Sequence, residues 1–259
     1  MQISLKWVNE LVDIETVKLD TLIKKLTLGG FEVEEILEIE KKNQKQIALE
    51  ISATANRSDS LSIHGISTEI AALLNETLKI PNYTLKNKNW KKTIHTKIQD
   101  FSNDYNCSIF IAITIENLTN KTVPKWITEK LINSGIVPSN DLFDFQNYIS
   151  LETGYPFQFY DIKKICSNLN TSKFNLTIKK ATKNQKFLAS NDISYELNDS
   201  IFTVNANDIP ISIAGIIEDK KFSISESTNK LLIEGSIFNA AKIRQQSRNL
   251  GLRTERSAK

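Results

Sequence analysis

Residues 19–51 read LDTLIKKLTLGGFEVEEILEIEKKNQKQIALEI. The first part is helical in pattern: Leu19, Leu22, Ile23 and Leu26 recur at i, i+3, i+4 and i+7 and line one face. Gly29-Gly30 follows as a stop, because glycine enters the left-handed backbone of a helix end at little cost. The period then drops to two. Phe31, Val33, Leu37 and Ile39 alternate with Glu32, Glu34, Glu38 and Glu40, the pattern of a strand with one wet face, and Ile36 breaks it. Lys41 to Gln46 is a polar turn, and Ile47–Ile51 is a second apolar run, so 31–51 predicts a hairpin. A helix feeding an antiparallel pair predicts an α+β fold.

Working outward, Asp59 is placed to start a helix whose apolar face is Ile63, Ile66, Ile70, Leu73 and Leu74. Residues 81–100 then lose all periodicity and hold Pro81, Asn82, Asn87, Asn89 and five lysines between Lys86 and Lys97. They read as a linker, with the basic stretch around Trp90 as a weaker candidate for RNA contact. Beyond it, Cys107 to Ile115 is a strongly apolar strand. Pro124 opens a helix containing Trp126, Leu131 and Ile132 that Gly135 ends. Phe174–Ile178, Ile201–Val204 and Pro210–Ile217 read as strands, and Ala240–Leu250 as a helix stopped by Gly251. The expected organisation is a small N-terminal helix/strand domain over 1–80, a linker over 81–100 and a larger sheet-rich domain over 101–259.

The 259 residues carry 40% hydrophobic and 24% charged side chains, enough for a proper core without staples. No apolar run approaches membrane-spanning length. The N-terminus, Met1 to Trp7, has neither a signal-peptide nor a transit-peptide layout, so the chain is expected to act in the compartment where it is made. The two cysteines, Cys107 and Cys166, are expected to be free thiols, and two histidines are too few for a histidine-based metal site. A net charge of +3 does not by itself argue for nucleic acid. No Gly-rich phosphate loop, Ser/His/Asp set or metal cluster is present in the sequence. The bias toward Lys, Asn and Ile, with 8 Gly and 1 Met, fits a strongly AT-rich genome, in a plastid or a reduced bacterium.

Six motifs stand in order: Asn56-Arg57-Ser58-Asp59, Asp144-Phe145-Gln146-Asn147-Tyr148, Gly154-Tyr155-Pro156, Ile213-Ala214-Gly215-Ile216-Ile217, Leu232-Ile233-Glu234 and Leu250-Gly251-Leu252-Arg253-Thr254-Glu255. In this order and spacing the chain resembles the N-terminal part of the β subunit of bacterial- and plastid-type phenylalanyl-tRNA synthetase. The resemblance implies a B1-like domain over 1–80 and a B3/B4-like, editing-type domain over 101–259, cut short at its C-terminal end. Longer bacterial members insert an oligonucleotide-binding tRNA module where this chain has only the turn after Lys41, so that insertion is expected to be absent. Arg57 and Asp59 are expected to pair structurally at a helix start rather than to touch tRNA. Family members continue past Lys259 into further domains, so the resemblance implies either a fragment of a longer gene product or a trimmed form of one.

The resemblance also implies a pocket for a mischarged tyrosyl group. Its positions fall on Asn147, Gln158, Gly215, Glu218, Glu234, Thr254 and Arg256. Glu234 stands where the family has the acid that reads a tyrosine hydroxyl, and Asn147 and Thr254 keep the family residue. Gln158 replaces a histidine, Glu218 and Asp219 replace two glycines, and Arg256 replaces a small alanine. A charged side chain blocks the close approach that glycine allows. Arg256 is expected to pair with Glu234 or Glu218 and fill the cavity, which makes the pocket degenerate.

No residue of this segment is expected to catalyse amino-acid activation or to bind metal; ATP and Mg2+ serve the whole complex. The implied partners are the α subunit, in an α2β2 assembly, and tRNA(Phe), with no membrane. The expected function is support of ATP-dependent attachment of phenylalanine to tRNA(Phe), in the plastid stroma or the cytoplasm of an AT-rich bacterium. Two alternatives are a free-standing deacylase of mischarged tRNA and a non-catalytic RNA- or protein-binding module. The division at 81–100 has a direct check. Limited proteolysis is expected to cut first near residues 82–100, and a first cut inside 140–160 or 210–250 contradicts the boundary.

Overall fold

The computed structural model describes all residues except 42–43, 55, 80–106, 120 and 259. The predicted linker, with its basic stretch around Trp90, therefore lies outside the described residues. The chain divides into two compact units. The first joins described residues up to 79 with Thr122–Tyr155, and the second joins those from 107 to 121 with Pro156–Ala258.

In the first unit, a three-stranded antiparallel sheet is ordered β1 (Gln2–Ser4), β3 (Gln44–Ala53), β2 (Phe31–Lys41). Two residues separate β2 from β3, too few for an inserted barrel. The helices are α1 (Leu5–Leu11), α2 (Leu19–Leu28), α3 (Ile63–Leu74), α4 (Lys125–Asn133) and α5 (Leu142–Thr153). Their apolar faces meet in one core that includes Trp7, Leu26, Ile51, Ile70, Leu131 and Leu151. The sequence boundary at 100/101 separates α4 and α5 from this unit, whereas their packing puts them in it. The cause is visible at Trp7, which is 2% exposed and stacks on Tyr148 of α5 at 5.2 Å. Trp126 of α4 meets the same Tyr148 edge-on, also at 5.2 Å. The Lys130 ammonium lies 4.7 Å from the Trp7 ring and pairs with Glu10 at 2.6 Å. A cation over aromatic faces adds electrostatic attraction to the buried area.

Two local readings need correction. Asp59 does not start a helix: it sits in the 3-10 turn Ser58–Ser60, and α3 is capped by Ser62, whose hydroxyl oxygen accepts from the Gly65 N–H at 2.9 Å. The Asp59 carboxylate is instead engaged by Arg57, at 3.1 Å from Nη2, and the same guanidinium binds Glu69 at 2.5 Å. Arg57 is thus a structural clasp at the start of α3, as its motif predicts. The break at Ile36 marks a bulge. Pairing slips between Val33 and Glu35, so Leu37 and Ile39, opposite Ala48 and Gln46, face away from the side that Phe31 and Val33 share with Ala53 and Ile51. Asp144 is fully buried and accepts the backbone N–H groups of Ser139 and Asn140, each at 2.9 Å, which fixes the turn before α5.

In the second unit, β12 (Leu231–Phe238) is the middle of a three-stranded antiparallel sheet, between β4 (Cys107–Ile115) and β5 (Gln158–Asp161). A four-stranded antiparallel sheet is ordered β11 (Ile217–Glu218), β10 (Ile209–Ile213), β9 (Phe202–Ala206), β6 (Leu176–Lys180). The strands β7 (Gln185–Leu188) and β8 (Ser194–Leu197) form a hairpin, and α6 (Ile162–Leu169), α7 (Ala240–Leu250) and α8 (Glu255–Ala258) complete the unit. One core joins Phe110, Tyr160, Ile165, Val204 and Leu232, and another joins Phe187, Ile201, Ile213 and Ile243. These elements make the α+β fold that the sequence predicts.

Glycine is scarce, and asparagine takes its place at corners. Asn75, Asn117, Asn140, Asn170, Asn184 and Asn207 all have positive φ. Asn75 and Asn170 end α3 and α6, because a short amide side chain tolerates the left-handed region better than other side chains.

The aromatic stack makes the packing of α5 measurable. Trp7→Ala is expected to lower the unfolding free energy by about 3–5 kcal/mol in a urea titration, the usual cost of emptying a buried tryptophan site. A loss under about 1 kcal/mol would show that the stack does not hold the unit.

Candidate functional site

The site is organised by β12. Glu234 lies opposite Gln158 of β5 on one side and Ala112 of β4 on the other, and Leu232 lies opposite Tyr160. Residues two apart on a strand, and residues paired across strands, share a face. Gln158, Tyr160, Leu232, Glu234 and Ser236 therefore point the same way.

Glu234 is 1% exposed. A carboxylate taken from water needs donors to replace the solvent it loses. It has two hydroxyls: Tyr160 donates to Oε2 at 2.6 Å, and Ser236 donates to Oε1 at 2.9 Å. The Tyr160 oxygen also lies 2.9 Å from Ser212 Oγ on β10. A phenol has one proton, here aimed at the carboxylate, so Ser212 donates to the phenol oxygen. Burial, followed by the Glu234 charge, pushes the Tyr160 hydroxyl well above its ordinary value, while the Arg256 guanidinium and Ser212 pull the other way. The same two causes, burial and then Glu234, push the nearby Cys107 thiol up to about 11, so it is not a thiolate at neutral pH. Both cysteines are free thiols.

Ser212 is paired across β10 and β11 with Glu218, which is 9% exposed. The next residue, Asp219, caps the 3-10 turn Lys220–Phe222, its Oδ1 accepting from the Lys221 N–H at 2.8 Å, and burial pushes its carboxyl up. Gly215 sits in the turn between these strands with φ +69°, and a Cβ there would come within 2.8 Å of the Ile243 side chain of α7. The left-handed backbone there favours glycine, and an added Cβ would also have to push the tip of the Ile243 side chain aside. Thr254 ties the C-terminal helix to the same turn: its hydroxyl donates to the Ile216 carbonyl at 3.0 Å, and it exchanges backbone and hydroxyl bonds with Ser257.

Arg256, on α8, donates from Nη1 to the amide oxygen of Gln158. Its Nε is buried with no hydrogen-bond partner. The expected ion pair does not form: among the described residues Arg256 makes no salt bridge with Glu234 or Glu218. The reason is local. Gln158 stands beside Glu234 on the adjacent strand and intercepts the guanidinium, and both Glu234 oxygens already hold hydroxyls.

Gln158, Glu234 and Arg256 thus lie together in one polar series, Glu218 is joined to it only by its strand pairing with Ser212, and Gly215 and Thr254 sit at the adjoining turn. Asn147 belongs to the first unit, half-buried on α5. Sequence reasoning missed Tyr160, Ser212 and Ser236. The available signal was period two: Tyr160 follows Gln158, and Ser236 follows Glu234, by two residues on strands. Among the described residues no group of three or more His, Cys, Asp or Glu is placed to hold a metal ion. No helix there is long and apolar enough to cross a membrane.

Residues 106–259 match the family described as B3/4 domain. The whole chain is 59% identical to the chloroplastic phenylalanine–tRNA ligase β subunit of Phaeodactylum tricornutum (strain CCAP 1055/1), covering 37% of that protein. Over 99% of its length it is 34% identical to the chloroplastic β subunit of Porphyra purpurea, covering 35% of it. An N-terminal fragment of the phenylalanyl-tRNA synthetase β subunit from Pyrococcus horikoshii aligns with 99% of this chain and 73% of its own, at TM-score 0.44 and 14% identity. The chain spans little more than a third of the curated relatives it matches.

The Tyr160–Glu234 bond has a pH signature. A phenol whose folded value is raised gives stability that is fully present below its unfolded value, about 10, and is lost as pH rises toward the folded value. The stability difference between the unmodified chain and Tyr160→Phe is therefore expected to hold steady from pH 7 to 9 and to shrink above about pH 10. Urea titrations across that range read it directly, and a difference that grows above pH 10 would contradict the buried, protonated phenol.

Proposed function

We propose, from the premise that the chain belongs to the family of phenylalanine–tRNA ligase β subunits through its B3/4 domain, that it is the N-terminal segment of such a subunit with a degenerate editing pocket. The observation that carries the subunit reading is similarity that runs through the whole chain, both units included. In this reading the complete β subunit assembles with an α subunit as α2β2 and supports attachment of phenylalanine to tRNA(Phe), in the plastid stroma. ATP and Mg2+ are used by the complex, and this segment has no part in holding either. Residues 1–80 act as a B1-like scaffold without a tRNA-binding barrel, and 101–259 as the editing-type domain.

The degenerate pocket rests on the Arg256–Gln158 contact. A second sieve removes a mischarged amino acid only if its ring fits a cavity and its distinguishing group finds a partner. The guanidinium takes volume beside Glu234 and engages the amide that stands in place of a histidine. Moving Arg256 aside to admit a ligand would break its charge-assisted hydrogen bond and leave the buried Gln158 amide oxygen without its donor, which is costly. A free-standing deacylase needs an open pocket, which this contact opposes.

One preparation tests both parts. The full-length β subunit carrying this segment, assembled with its α subunit, is expected to charge tRNA(Phe) with phenylalanine when given ATP and Mg2+. The same complex is expected to release tyrosine from Tyr-tRNA(Phe) at close to the uncatalysed rate. Absence of charging would sink the ligase reading, and brisk deacylation would sink the closed pocket.

A further inference from the structure

The buried hydroxyl on Glu234 belongs to the chain itself. We propose that Tyr160 is an internal phenol seated on Glu234, so that the acceptor that would read the hydroxyl of a bound tyrosine is occupied by the protein's own side chain. This rests on the reading of Glu234 as the pocket carboxylate, and it concerns a residue that plays no part in the Arg256 account.

Three observations carry it. The bond is short, 2.6 Å, and charge-assisted. The Tyr160 ring is fully buried in the core with Phe110, Ile165 and Leu232, so the hydroxyl is held by packing and not by a mobile arm. The phenol oxygen is also fixed from behind by Ser212 at 2.9 Å, and the second carboxylate oxygen is held by Ser236 at 2.9 Å. An incoming phenol would have to displace a partner already oriented, at the effective concentration of an intramolecular group.

The two devices act on different terms. Arg256 removes volume, whereas Tyr160 removes discrimination. Opening the volume alone would give a pocket that admits tyrosine and phenylalanine alike, because their one difference, the hydroxyl, meets an occupied acceptor. Such a pocket threatens the correct product as much as the wrong one.

The test uses the 259-residue chain in four forms: unmodified, Tyr160→Phe, Arg256→Ala and the double variant. Binding of free tyrosine and free phenylalanine is followed by NMR titration. Arg256→Ala is expected to bind both with equal affinity, within about twofold. The double variant is expected to favour tyrosine by about tenfold or more, the worth of a hydrogen bond to a charged group. If Arg256→Ala alone shows the tyrosine preference of the double variant, the Tyr160 inference is overturned while the closed-pocket reading stands. If no variant binds either amino acid, the pocket reading fails and the inference fails with it. Should the double variant not fold, the unmodified chain still decides. A Tyr160 hydroxyl proton protected from exchange, and missing in Tyr160→Phe, supports the inference; one in free exchange with water overturns it.

Discussion

Strand β12 is hydrogen-bonded along both edges, to β4 and to β5, and that double pairing places a carboxylate where water cannot reach it. A charge in that position is tolerated only if the surrounding strands supply donors. They do so with hydroxyls: Tyr160 from β5, Ser236 from β12 itself, and Ser212 from β10 behind the phenol. The β10 contact is more than a local bond. It joins the three-stranded sheet to the four-stranded one through polar atoms. A slip of one residue between β5 and β12 would turn Gln158 and Tyr160 to the other face and leave Glu234 without its phenol.

The first unit depends on aromatic packing instead. Trp7 of α1 joins Trp126 and Tyr148 of the consecutive helices α4 and α5 from far along the chain, and Lys130 places its cation against them while its charge is met by Glu10. Because α4 and α5 complete this core, the chain returns to the first unit after starting the second at β4. The family match begins at residue 106 and the packing boundary falls elsewhere, so the two divisions describe different things: a block of related sequence, and a block of shared core.

Much of the fold was legible where periodicity is long and clean. The helix at 19–28, the hairpin after it, the strand at Cys107–Ile115 and the helix at Ala240–Leu250 all stand close to where their patterns put them. The bulge in β2 left only one clue, Ile36 out of phase, because a bulge is a change of register against a partner that sequence alone does not show. Asp59 misled because Ser62, three residues on, is an equally good cap, and Arg57 competes for the carboxylate. Most of the site residues were found through the resemblance rather than through periodicity. Tyr160 escaped because its role depends on a strand pairing: only when β5 lies beside β12 does a tyrosine that reads as core become the partner of a buried acid. The Arg256 pairing was misjudged for a related reason, since the nearest acceptor, Gln158, is also set by that register.

The asparagines at left-handed corners bear on the chain before it folds. A glycine at Asn75 or Asn170 would fit the same turn with less strain, yet it would also wander through far more backbone conformations in the denatured ensemble. An asparagine there narrows that ensemble, so less disorder is surrendered when α3 and α6 come to their ends. A sequence poor in glycine thereby trades a little strain in its corners for a more restricted starting point, and its turns are partly chosen before its sheets have paired.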